Sequence, residues 1–228
     1  LVKNIIKPAL VLAAVAFCSS LLLSFVRGVT YPLILQQESD KEQSALMLVL
    51  PGFEISEPLV VELENGENFK YWTGEKFING EAVQGYAFIS VNRGYSGDIR
   101  SMVGVDENNI VLGISIVQQS ETPGLGDRVN ERSTSETIWG VILGRSYGGE
   151  KITDPWFQDQ FKGIDLNKKI KIVKHGTWIS DMREDLLREN AVTSITGATI
   201  TTKAITGSLK EGLIKLRKAK MVTEGGDK

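Results

Sequence analysis

The stretch Arg100–Val117, RSMVGVDENNIVLGISIV, decides the class of the fold. Two β-branched runs, Arg100–Val105 and Ile110–Val117, flank Asp106-Glu107-Asn108-Asn109, so the pattern predicts an antiparallel hairpin closed by a polar turn. Working outward, Leu59–Leu63, Phe69–Trp72 and Val83–Val91 repeat the pattern between Gly, Asn and Asp, which extends the hairpin into an antiparallel sheet. Downstream the period changes. Trp156–Phe161 reads as an aromatic-bounded turn of helix, Ile170–Lys174 as a strand and Asp181–Glu189 as a helix, with a further helical stretch around Ser135–Leu143. From Thr201 to Lys220, Ile205, Leu209, Leu213 and Leu216 share one face, while Lys215, Arg217, Lys218 and Lys220 gather near the C-terminal end, as suits a helix. Strands first and helices mostly later define an α+β domain, an antiparallel sheet with packed helices, rather than a strand–helix alternation.

A different solvent is implied at the other end of the chain. Pro8–Val26, PALVLAAVAFCSSLLLSFV, carries no charge and lies between Lys3 and Lys7 on one side and Arg27 on the other. That length suits one membrane-spanning helix, since a bilayer core takes about 20 apolar residues and a helix satisfies its own backbone groups. Ala14-Val15-Ala16 matches a small-x-small cleavage site, but apolar sequence continues well past it. Phe17 precedes Cys18 where a lipidated cysteine would follow a small residue. The expected organisation is therefore a membrane anchor over 1–30, a connecting segment over 31–58 with a short amphipathic helix at Asp40–Leu50 stopped by Pro51-Gly52, a domain over 59–220 and a tail over 221–228. Basic residues on the short N-terminal side favour a cytoplasmic N-terminus and an extracytoplasmic domain.

Composition removes several classes of function. A formal charge of −2 over 228 residues, with 24% charged residues of both signs, offers no basic stripe for nucleic acid. One cysteine, Cys18, and one histidine, His175, cannot assemble an iron–sulfur, c-type haem or zinc site, so no metal is expected and any redox group would be organic. His175 has no positioned serine or cysteine partner, which leaves no nucleophile–base pair for a hydrolase and no catalytic residue. Trp139, Trp156 and Trp178 read as core.

Thr196-Gly197-Ala198-Thr199 stands at the start of the last helix, where first-turn N–H groups and the helix dipole favour a phosphate; a plain helix cap would look the same. Upstream, Glu121-Thr122-Pro123-Gly124-Leu125-Gly126 places a tight turn after a strand, and Gly94-Tyr95-Ser96-Gly97 is a second glycine-rich turn. Together with Thr201, these blocks resemble the flavin-binding motifs of the G subunits of Rnf-type electron-transport complexes. They are similar also to the C subunits of sodium-pumping NADH:quinone oxidoreductases, the nearest rival. The resemblance covers almost the whole chain in order and includes the Trp156–Phe161 block.

It implies FMN esterified through its phosphate to Thr199. It also implies a cofactor site formed by Thr196, Gly197, Ala198, Thr201, Glu121, Thr122, Gly124, Leu125, Gly126, Gly94, Tyr95 and Gly97, with Glu121 and Thr122 hydrogen-bonding to the flavin. The implied partners are the other subunits of a membrane complex and a flavin transferase for maturation, and the implied role is an electron relay. One residue departs from the pattern: Thr193 stands where the resembled proteins carry an acid that the transferase would read. An anchored, non-redox binding or assembly domain with bare Thr199 is the alternative from another class.

Overall fold

A computed structural model describes residues 2–78, 80–131, 155–174 and 182–225. The expected helix at Ser135–Leu143, together with Trp139, His175 and Trp178, lies outside the described residues. The chain divides into two units, Leu1–Gln43 and Ser44–Lys228.

Helix α1 is Val2–Val49 and supplies all of the first unit that is described. It is long and apolar enough to cross a membrane, and side chains such as Leu10, Leu23 and Phe25 are exposed along it. The sequence suggested a separate helix at Asp40–Leu50, whereas α1 continues through Pro32. The intervening residues, Gln36-Gln37-Glu38, are good helix formers and include no glycine to stop it.

The second unit is built on a six-stranded antiparallel sheet. Its strands are β1 (Glu54–Ile55), β2 (Leu59–Glu62), β3 (Asn68–Ile78), β4 (Glu81–Arg93), β5 (Asp98–Asp106) and β6 (Val111–Gln118). The order is β1-β3-β4-β5-β6, and β2 pairs with β3 beside β1. The hairpin predicted from Arg100–Val117 is present as β5–β6. Asp106 organises its turn, accepting hydrogen bonds through Oδ1 from the N–H of Asn108 at 2.9 Å and of Ile110 at 2.7 Å. Strand β3 runs further than its sequence suggests, because Gly74, Glu75 and Lys76 carry little strand propensity. Beyond the sheet come a 3-10 turn at Gly126–Asn130, α2 (Trp156–Asp159), β7 (Lys171–Val173), α3 (Arg183–Arg188), β8 (Ala191–Thr193) and α4 (Thr199–Gly225). Strands β7 and β8 form a small parallel pair that the sequence reading did not anticipate.

Alternation along β4 and β5 gives the sheet two apolar faces. On one, Phe88, Ile99, Val103 and Val105 pack with Ile205, Leu209, Leu213 and Leu216 of α4. The helix comes close because Gly212 has no side chain: a Cβ there would run into the ring of Phe88. On the other face, Ala45, Val49 and Leu50 meet Trp72, Ala87 and Met102, with Leu46 and Phe53 packed against them.

This second contact depends on glycines in four neighbouring strands. Gly74 opposes Gly85 in the register of β3 and β4, and Gly104 opposes Gly113 in that of β5 and β6. A Cβ on Gly85 would lie 2.8 Å from the Phe53 ring, and one on Gly104 would overlap the backbone carbonyl of Val49. Residues 45–53 are therefore part of the domain's core. We expect Gly104→Ala to lower stability by about 1–3 kcal/mol through overpacking against an immovable backbone. Gly113→Ala, whose Cβ would stand 3.2 Å from Leu48 O, should cost less; thermal unfolding of the two detergent-purified variants checks the order.

Candidate functional site

Three segments converge where α4 begins. The first is Gly94-Tyr95-Ser96-Gly97, the turn from β4 to β5, closed by a hydrogen bond from Gly94 N to Gly97 O at 2.7 Å. The second follows β6: Thr122 O accepts from Leu125 N at 3.1 Å, and Gly124 adopts a φ of 76° that few residues other than glycine hold without strain. The third is the turn into α4, where Ala198 N donates to Ile195 O at 3.0 Å and Gly197 sits at φ 80°. The missing side chain of Gly197 is replaced by a neighbour, since a Cβ there would lie 3.0 Å from Leu125 Cδ2.

Glu121 is the point at which the segments meet. It is only 6% exposed. Its Oε1 accepts from Ser96 N at 2.9 Å and its Oε2 accepts from the hydroxyl of Thr201, in the first turn of α4. A Cβ on Gly94 would lie 2.5 Å from one of these oxygens, and a Cβ on Gly126 would lie 2.5 Å from the other. These two glycines make room for a carboxylate. Thr122 Oγ1 adds a hydrogen bond with Ser96 Oγ at 3.2 Å.

The threonines around the helix start divide into two sets. Thr201 gives its hydroxyl to Glu121, Thr202 Oγ1 accepts from Ile195 N and donates to Ala198 O, each at 3.2 Å, and Thr206 donates to Thr202 O at 2.8 Å. All three are buried. Thr196 is exposed and Thr199 half-buried, and among the described residues the hydroxyl of neither is held by a protein group. The first turn that Thr199 opens also presents N–H groups without an intrahelical acceptor, at the positive end of a 27-residue helix. Tyr95, Leu125 and Ile200, one from each segment, are exposed. A hydroxyl, an anion-binding helix end and apolar side chains fit a phosphate ester carrying an aromatic ring system.

Below this rim, Gln160 secures the strand that leads to it. Its Oε1 accepts from Thr193 N at 2.7 Å and Thr193 Oγ1 at 2.9 Å, and its Nε2 donates to Thr193 O at 3.2 Å. Thr193 is 2% exposed. Sequence reasoning noticed the Trp156–Phe161 block without a role for Gln160, because an amide inside an aromatic run does not show which backbone it will serve. Ser96 and Thr202 were likewise passed over, since a hydroxyl residue in a turn gives no sign of the backbone it serves. On the outer side of the 3-10 turn, burial alone would raise the Glu131 carboxyl. Hydrogen bonds from Arg128 Nε at 2.8 Å and Trp156 Nε1 at 3.2 Å outweigh it and hold the group below its ordinary value.

A helix start with an unengaged threonine and exposed apolar side chains beside it is a surface that a phosphorylated aromatic group can fit. The family model of the FMN-binding domain matches residues 94–214, more than half of the chain and all three converging segments, and the chain belongs to that family. It is similar to the G subunit of the ion-translocating oxidoreductase complex of Aliivibrio fischeri, 26% identical over 211 residues, with 79% of this chain and 92% of that one covered. It is also similar to the G subunit of the Na(+)-translocating ferredoxin:NAD(+) oxidoreductase complex of Acetobacterium woodii. That match is 28% identical over 131 residues, and covers 58% of this chain and 48% of that protein. Among solved structures, the C subunit of the Na(+)-translocating NADH-quinone reductase of Parabacteroides distasonis aligns over 79% of this chain and 92% of its own, at 21% identity and a TM-score of 0.47.

Because Gln160 serves three groups of one residue, Gln160→Ala should lower unfolding stability by about 1–3 kcal/mol, the range for leaving a buried polar group unpaired. Thr193→Asp should not restore an accessible acid. It puts a carboxylate against Gln160 Oε1, and turning the amide to meet it deprives Thr193 N–H of its acceptor. Denaturant melts of both variants test this, with similar losses expected.

Proposed function

We propose that this chain is the electron-carrying flavoprotein subunit of a membrane-bound, ion-translocating oxidoreductase of the Rnf type, with FMN esterified through its phosphate to Thr199. The observation that carries this reading is the hydroxyl of Thr199, unengaged at an anion-favouring helix start, in a chain of the FMN-binding domain family. Names of the relatives support the assembly: one is a subunit of an ion-translocating oxidoreductase complex, another of a sodium-translocating ferredoxin:NAD(+) oxidoreductase.

Flavin exchanges one or two electrons, which is the chemistry the cofactor supplies. The residues of this chain bind and orient it. The first turn of α4 neutralises the phosphate through backbone N–H groups, and Thr196, Gly197 and Ala198 form the turn that keeps the backbone close to it. Tyr95, Leu125 and Ile200 give the ring apolar neighbours, with Thr122, Gly124 and Gly126 shaping the loop beneath. A covalent tether prevents loss of the cofactor and confines its reach. The anchor helix holds the domain at the membrane among the other subunits of the complex. Lys3 and Lys7 favour a cytoplasmic N-terminus, so the flavin domain lies on the extracytoplasmic side, where a flavin transferase attaches the FMN.

The reading is tested by in-gel flavin fluorescence of denatured protein produced in a host that has the transferase. Wild type should fluoresce, and Thr199→Ala should be dark. A dark wild-type band, or fluorescence that survives Thr199→Ala, contradicts it.

A further inference from the structure

We propose that Glu121 is a positioning residue. Its carboxylate joins the Gly94–Gly97 turn, its own loop and the first turn of α4 into one fixed collar around Thr199, and so sets the orientation of a cofactor carried there. The second half of this statement rests on the reading of Thr199 as the attachment site; the first half does not.

Both carboxylate oxygens are occupied from within the protein, one by Ser96 N–H and the other by the Thr201 hydroxyl. Neither is turned outward. Among the described residues no basic side chain is paired with Glu121. What balances the buried carboxylate is a backbone N–H, a hydroxyl and the positive end of α4. Gly94 and Gly126 each abut a carboxylate oxygen, so the space that holds the carboxylate is shaped by backbone on two sides. Gln119 holds the approach: its Oε1 accepts from Glu121 N at 2.6 Å, and its Nε2 donates to Asp127 Oδ1. Thr201 lies two residues beyond Thr199, so a tie at Thr201 fixes the turn from which Thr199 projects.

A carboxylate accepts on both oxygens; in Glu121→Gln the amide still meets both groups once the Thr201 hydroxyl turns to accept, whereas Glu121→Leu leaves Ser96 N–H and the Thr201 hydroxyl without an acceptor. Thr201→Val removes the hydroxyl at nearly constant shape, while Thr201→Ser keeps it.

The experiment has a cofactor-independent arm and a loaded arm. In full-length, flavin-free protein, hydrogen exchange at the Ser96 amide and at the Thr202 amide, which donates to Ala198 O, should speed up by about 10- to 100-fold in Glu121→Leu, the change expected when a hydrogen bond to a buried charged group is lost. The Thr202 amide should respond in the same way to Thr201→Val and stay at the wild-type rate in Thr201→Ser. In flavin-loaded protein, Glu121→Leu and Thr201→Val should each shift the flavin's visible circular dichroism and midpoint potential. The double variant should shift them no further than the larger single effect, because both act through one tie. Thr206→Val, which removes a buried α4 hydroxyl more than one turn beyond Thr201, controls for loss of stability without loss of positioning and should leave the flavin signals at wild type.

Unchanged exchange at Ser96 and Thr202 in Glu121→Leu overturns the collar whether or not flavin is attached. Faster exchange with unmoved flavin signals overturns the orienting role. If wild-type protein carries no covalent flavin, the attachment reading fails, the orienting role falls with it, and the exchange arm alone decides the collar.

Discussion

A helix that begins at Thr199 cannot satisfy its own first N–H groups, and the position of that unsatisfied end is what the domain fixes. Packing sets where α4 runs: Leu209, Leu213 and Leu216 are buried against the sheet, and Gly212 lets the helix settle onto Phe88. Hydrogen bonding sets where it starts. Thr202 ties the helix to Ile195 and Thr201 ties it to Glu121, while among the described residues no protein group holds the hydroxyls of Thr196 and Thr199. An anion-favouring helix end is common to every α-helix; this one adds available hydroxyls whose threonine neighbours are committed elsewhere.

Glycine serves two separate purposes in this fold. On the sheet face toward residues 45–53, Gly74, Gly85, Gly104 and Gly113 admit backbone and large side chains to close range, so the last turns of α1 form core rather than linker. Around Thr199, Gly94 and Gly126 admit a carboxylate instead, and Gly124 and Gly197 supply left-handed turns. The glycine-rich blocks of the sequence therefore do more than clear space for a planar ring. Two of their glycines are filled from inside by Glu121, and a third, Gly197, is covered by Leu125.

Much of this was legible in the residues. The β5–β6 hairpin, the antiparallel sheet, the apolar N-terminal helix and the C-terminal helix follow from periodicity, turn chemistry and length, which are local properties. The segments that meet at the site were each recognisable, from Gly94–Gly97 to Thr196–Thr199. What sequence did not disclose was how they are joined. A glutamate beside a Thr-Pro-Gly turn reads as solvated or as a ligand, and its burial 80 positions away from Thr201 in sequence is a tertiary fact. The parallel pairing of β7 with β8 and the Gln160–Thr193 clasp were hidden for the same reason. The residues mark Ile170–Lys174 as a strand but leave its three-residue partner β8 unmarked, and a glutamine carries no mark of the backbone it will serve.

The proposed bond is a phosphate ester between FMN and the Thr199 side chain, and peptide mass mapping of protein isolated from its native membrane detects it. The peptide containing Thr199 should carry the mass of FMN less one water, with fragmentation placing the addition on that residue. A bare Thr199 peptide, or a flavin located on any other side chain, would contradict it.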